Sequence, residues 1–282
     1  MKLFCLRCFY PVMLAMLHLS NVGIAVAETS IKAASVEVGN QRMRLADQRH
    51  VIFDRLGTED GLSQAVVTSV VQGASGFIWI GTAEGLNRYD GYSFETFYHT
   101  DDAPRSLSHD HVWDLLVDSN GTLWIGTDAG LNKFNDITGD FDFIDVDAGL
   151  GAIHSAVHSL YEDSKGQIWI GTGSGLVLMD ARGHLTHFHH SGLDGTSIGR
   201  GSIRTVLEDS KGRLWVGTEY DGVNLLDPET GQFIRYGHDP GNDNSIGDDY
   251  VRFILEADDG KLWLATFDGG ISIFDPETEQ AS

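Results

Sequence analysis

Five side chains of chemical interest stand at one fixed distance, eleven residues, ahead of a recurring tryptophan: Thr68, Trp113, His158, Arg204 and Arg252. Two guanidiniums, an imidazole and an indole suit an anionic or sugar ligand. Arginine forks pair with carboxylates, and tryptophan stacks on the apolar faces of sugars. A second set follows each repeated threonine: Glu84, Asp128, Ser174, Tyr220, Asp221, Phe267 and Asp268. These positions vary while the frame around them repeats, which is where recognition is usually placed. The competing expectation is that both sets are ordinary loop-edge residues, the first paired with carboxylates such as Asp114.

Other clusters point to chemistry less strongly. His184, His187, His189 and His190 gather in one stretch, and His187 and His189 would share a strand face. Two histidines two apart can bind a transition metal, but no carboxylate stands at fixed spacing, and a solvated strand edge is the expectation. The Asp239–Asp249 stretch is rich in aspartate yet lacks the glycine and closing glutamate of a calcium loop. No phosphate-cradling loop, nucleophile elbow or zinc-protease helix motif is present. No catalytic residue, metal ligand or cofactor is therefore assigned.

The elements that would position these residues are set by the repeat. Trp79, Trp124, Trp169, Trp215 and Trp263 are spaced 45, 45, 46 and 48 residues apart. Each lies in a Gly-x-x-Trp-x-(Gly/Ala)-Thr cassette: GFIWIGT from Gly76, GTLWIGT from Gly121, GQIWIGT from Gly166, GRLWVGT from Gly212 and GKLWLAT from Gly260. A period in the forties built from strand-like pieces marks a β-propeller. Before each tryptophan stand a β-branched residue (Val67, Val112, Val157, Ile203, Val251) and a turn such as Asp163-Ser-Lys-Gly166. After it come a third strand and, in most repeats, a fourth, as in FIRYGH from Phe233. Four short antiparallel strands per repeat make a blade. The indole would fill the space between adjacent sheets.

The fold expected is therefore all-β, a β-propeller of five four-stranded blades at about 62–99, 107–146, 153–190, 198–238 and 246–282, within a propeller region 48–282. The fifth blade lacks its outer strand on this pattern. It is left incomplete, or closed by an N-terminal strand from Arg49–Leu56, or the chain is a fragment of a seven-bladed propeller. Inner strands line the central channel, so the five leading side chains would meet at its mouth.

The N-terminus reads as a signal peptide, residues 1–27, with Lys2 and Arg7 ahead of an apolar run and Ala25-Val-Ala27 as the cleavage pattern. Residues 28–47 read as a flexible tether. Both cysteines, Cys5 and Cys8, fall in the leader, so the mature chain would have no thiol chemistry. The formal charge is −22, and loss of Lys2 and Arg7 takes it to −24. Such a surface repels nucleic acid.

Glu59-Asp-Gly-Leu-Ser63, the cassette Gly76–Thr82, Gly85-Leu-Asn-Arg-Tyr-Asp-Gly91 and Ser106-Leu-Ser108 together resemble the two-component regulator propeller repeats of bacterial periplasmic sensors, over about residues 49–279. The resemblance implies the extracytoplasmic, periplasmic or secreted, ligand-sensing part of a two-component-type signalling protein. It implies a small-molecule ligand such as an oligosaccharide, and a signalling output domain or protein as partner. The family's usual layout adds a second propeller, an immunoglobulin-like module, a membrane helix and a kinase or cyclase domain. None of these is recognisable in this sequence, so no enzyme activity is expected of this chain. The alternatives are a protein-interaction scaffold and a propeller lyase or hydrolase.

Overall fold

The structure, a computed structural model, describes residues 35–38, 41–44, 55–147 and 155–282. The signal peptide and most of the Arg49–Leu56 segment lie outside the described residues. The chain divides into Met1–Gly57 and Thr58–Ser282. In the first unit, β1 (Ser35–Val38) pairs antiparallel with β2 (Gln41–Arg44). Valines at alternate positions, Val36 and Val38, suit a strand.

The second unit is a propeller of five four-stranded antiparallel sheets. Blade 1 holds β3 (Val67–Gln72), β4 (Ile78–Thr82), β5 (Gly85–Tyr89) and β6 (Phe94–Phe97). Blade 2 holds β7 (Val112–Val117), β8 (Leu123–Thr127), β9 (Gly130–Asn135) and β10 (Asp140–Ile144). Blade 3 holds β11 (Val157–Glu162), β12 (Ile168–Thr172), β13 (Leu176–Met179) and β14 (Leu185–Phe188). Blade 4 holds β15 (Ile203–Glu208), β16 (Leu214–Thr218), β17 (Val223–Leu226) and β18 (Phe233–Tyr236). Blade 5 holds β19 (Val251–Glu256), β20 (Leu262–Thr266), β21 (Ile271–Asp275) and β22 (Gln280–Ala281). Among the described residues no helix is long and apolar enough to cross a membrane.

The fifth blade thus carries an outer strand, contrary to the sequence expectation. Its two residues pair as Phe274↔Ala281 and Asp275↔Gln280. The turn before it copies that of blade 4: Glu279 N donates to Asp275 O at 2.8 Å as Gly231 N donates to Asp227 O at 2.9 Å. Glu279 adopts the positive φ, 57°, that Gly231 adopts at 71°. A non-glycine residue can hold that region at some cost, and the strand that follows is only two residues long.

Each core cluster lies between two blades. Trp79 packs with Leu115, Phe134 and Phe141 of blade 2, and Trp215 packs with Ile254, Leu262 and Phe274 of blade 5. The ring centroids of Trp79 and Phe134 are 4.7 Å apart, edge to face, a favoured aromatic arrangement. The first four repeated tryptophans are buried, as expected of inter-sheet filler, whereas Trp263, with no following blade among the described residues, is half-buried. Ile271 shows the same edge: it is 51% exposed, while Leu86, Leu131, Leu176 and Val223 at its register are fully buried.

Close approach of the blades depends on the cassette glycine. A Cβ on Gly81 would sit 2.7 Å from Val112 Cγ1, and one on Gly126 would sit 2.8 Å from Val157. The leading β-branched residue of each blade thus occupies the hollow above the preceding glycine. The segments ahead of the inner strands of blades 1, 2, 4 and 5 are pinned likewise. Leu62, Leu107, Ile198 and Ile246 are buried, and Ser63 and Ser108 bond Thr82 and Thr127 at 2.8 and 2.7 Å.

Candidate functional site

The five leading side chains share a backbone feature that the repeat pattern did not reveal. In every blade the pairing of the inner strand skips one residue: Val67↔Thr82 is followed by Ser69↔Gly81, and the same shift recurs at Val112/Asp114, Val157/Ser159, Ile203/Thr205 and Val251/Phe253. The skipped residues are Thr68, Trp113, His158, Arg204 and Arg252. A β-bulge frees its residue from the ladder and re-aims the side chain.

Three of the five meet directly. The Trp113 ring stands edge-on to His158, centroids 4.8 Å apart, and the Arg204 guanidinium lies 5.7 Å from the Trp113 ring. Arg204 also lies 5.5 Å from the ring of Tyr250, and Arg252 lies 5.9 Å from that same ring. Tyr250 therefore links Arg252 to the group. Thr68 does not join it, because its hydroxyl donates to the Val112 carbonyl at 2.7 Å. Asp114, offered as an ion partner, is engaged elsewhere, accepting from Ser69 Oγ at 3.0 Å and Leu160 N at 2.9 Å.

The residue directly after each repeated threonine faces the bulged residue of its own blade where it carries a carboxylate. Asp128 accepts from Trp113 Nε1 at 2.6 Å and stands 3.2 Å from His111 Nδ1, with His111 stacked on the indole. Glu219 stands 3.6 Å from Arg204. Blade 5 has Phe267 at this register, so Arg252 has no such carboxylate. Against the cost of burial, hydrogen bonds from Ser202 and Tyr220 hold the Glu219 carboxyl below its usual range. Burial, and then the neighbouring Arg204 charge, push His158 down to about 4. It is a neutral imidazole at pH 7.

Tyr220, Phe267 and Asp268 line an open cleft of about 350 Å³ with Arg200, Glu219, Asp248, Asp249 and Tyr250. Phe267 stacks on Tyr250 at 5.2 Å. Asp221 stands beside the cleft, bound to Arg200 at 2.7 Å. Glu84 and Ser174 do not join: both are exposed, their backbone N–H groups held by Thr82 and Thr172. Sequence reasoning missed Tyr250, His111 and Glu219. Tyr250 and His111 occupy one register, directly before the inner strand, and a comparison of that register across the repeats would have found both.

The remaining clusters have local work. His187 and His189 stack at 5.8 Å, but His187 bonds the Val146 carbonyl, and His189 and His190 bond those of Ser174 and Ile198. Asp239, Asp248 and Asp249 accept backbone N–H groups of Gly241, Tyr250 and His238. Among the described residues no group of three or more His, Cys, Asp or Glu is arranged to hold a metal ion.

Three stretches, residues 106–129, 151–174 and 197–220, match the family described as two component regulator propeller. A 63-residue stretch is 33% identical to "Histidine kinase P4" of Formosa agariphila, covering 22% of this chain and 5% of that protein. Among solved structures, the extracellular domain of a hybrid two-component system of B. thetaiotaomicron is similar at a TM-score of 0.70 and 27% identity, covering 81% of this chain and 31% of the other. A second such extracellular domain from that organism has a TM-score of 0.64 at 23% identity, covering 74% of this chain and 27% of its own. The chain thus spans less than a third of the length of these relatives.

Proposed function

We propose, for a chain built of two-component regulator propeller repeats, that it is an extracytoplasmic ligand-sensing module of a two-component-type signalling protein. The propeller resembles the extracellular domains of hybrid two-component systems. The observation that carries the sensing role is the convergence of bulged side chains from consecutive blades, Trp113, His158 and Arg204, on one another beside Tyr250. Bulges cost ladder hydrogen bonds, and they recur where a side chain is re-aimed for a site. The ligand is a small molecule captured at this mouth, an oligosaccharide among the candidates. A signal follows only if the ligand binds two arrangements of the propeller or its assembly with different affinity, and the partner that reads the difference is a signalling output domain.

Calorimetric titration of the protein with acidic and neutral oligosaccharides tests capture. Arg204→Ala combined with Arg252→Ala should weaken binding at least tenfold. Unchanged affinities for every sugar bound would remove the mouth from consideration as the site.

A further inference from the structure

Arg204 is held in an unusual way. Its side chain is only 18% exposed. It lies between the rings of Trp113 and Tyr250, yet its buried Nε has no hydrogen-bond partner among the described residues. The nearest carboxylate, Glu219 Oε2, stands 3.6 Å from Nη2, beyond hydrogen-bond range. Arg200, by contrast, is bonded to Asp221 through Nε and Nη2 at 3.0 and 2.7 Å. A buried Nε with no partner is costly, and an arginine whose fork is not closed by a carboxylate suits a planar anion.

Glu219 is not free to close on it. Its carboxylate also accepts from Ser202 N at 3.3 Å and Tyr220 Oη at 3.1 Å, which hold it at a distance. It neutralises Arg204 without satisfying it. Arg252, exposed over the same Tyr250 ring, has Phe267 at the register where Glu219 stands in blade 4.

We infer that the mouth takes a ligand carboxylate on Arg204 and Arg252, and that Glu219 is a built-in competitor that sets the threshold for its entry. This rests on the sensing reading above and narrows it to a ligand class, acidic sugars, and a specificity-determining residue. The ligand's carboxylate supplies the short hydrogen bonds that Glu219 does not, and it repels Glu219 as it enters. Removing the Glu219 charge takes away a like charge beside the incoming carboxylate, which should raise the apparent affinity about tenfold.

The test titrates the full chain by calorimetry with digalacturonate and with its neutral counterpart, galactobiose. Glu219→Gln keeps the size of the side chain, one acceptor oxygen for Ser202 N and an amide N–H that can donate to Tyr220 Oη, and should bind digalacturonate about tenfold more tightly than the unaltered protein. Its affinity for galactobiose should not change. Arg252→Ala should lose at least tenfold for the acidic sugar in either background. Acid binding that appears only in Glu219→Gln supports the inference. Equal acid affinity in the two proteins, or binding of galactobiose alone, overturns the gate and leaves the sensing reading standing. No heat with either sugar in either protein overturns the inference.

Discussion

The indole nitrogen of Trp215 donates to Asp209 Oδ2 at 2.9 Å, and the same oxygen accepts from Arg213 Nε at 2.6 Å. Trp124 and Trp169 bond Asp118 and Asp163 at the same distance. The turn that starts the tryptophan strand therefore also fixes the ring between the sheets. Blade 1 has Gly73 at this register and blade 5 has Ala257, so the bond belongs to the three central blades.

Asp209→Ala would strand a buried indole N–H and leave Arg213 with Glu277 as its remaining carboxylate partner. Leaving such groups unpaired costs about 3 kcal/mol. Urea unfolding should report a loss of that size. The change Gly73→Asp would place a carboxylate beside Trp79 Nε1, which a Cβ at Gly73 approaches to 2.8 Å. That contact is too close, so no gain in stability is expected there.

Acid should weaken the fold through His158. Its folded value is about 4, lowered by burial and by Arg204, against about 6.5 in an unfolded chain. Between those values the unfolded state binds more protons. Stability is therefore complete above about pH 6.5 and falls as the pH drops toward 4, by on the order of 3 kcal/mol in all. His158→Phe should remove this component. Unfolding free energies at pH 7 and pH 4.5 should differ by less in the variant, by about 2 to 3 kcal/mol.

The serine–glutamate bridges between blades are open to a double-mutant cycle. Glu208 accepts from both Ser164 N and Ser164 Oγ, at 2.6 and 2.9 Å, and Glu162 and Glu256 repeat this with Ser119 and Ser210. Ser164 is exposed, so the coupling between Ser164→Ala and Glu208→Gln should be modest, about 0.5 to 1 kcal/mol. A value near zero would mean that the backbone N–H carries the whole contact.

Gly217→Ala should cost about 2 kcal/mol or more, because a Cβ there would lie 2.5 Å from Thr205 Cγ2 and 2.9 Å from the Val251 carbonyl. Ala265 holds the same register in blade 5. Ala265→Gly should therefore change stability by less than about 1 kcal/mol. The pair of variants, read by thermal unfolding, separates crowding between blades from strand propensity.

Much of the fold was legible because it is written in residues whose size or backbone freedom is decisive. The tryptophan period, the adjoining glycine and the β-branched residue above it mark the inter-blade contact. The candidate site was only half legible. Arg204, Trp113 and His158 could be placed together from register alone, but the bulge that turns them from the ladder is a property of pairing, and single strands do not display it. Glu219 shares the register of Asp128 and Phe267 but was not singled out, and its incomplete ion pair is a matter of a fraction of an ångström. The last strand was hidden because two residues, Gln280 and Ala281, are too few to show an alternation.

Because each of the five bulged residues sits outside the hydrogen-bonded ladder, its identity is decoupled from strand register. A threonine, a tryptophan, a histidine and two arginines occupy one backbone geometry, which shows how little the scaffold asks of that position. Ligand preference in such an array can therefore drift residue by residue, blade by blade, while the frame that presents it stays intact.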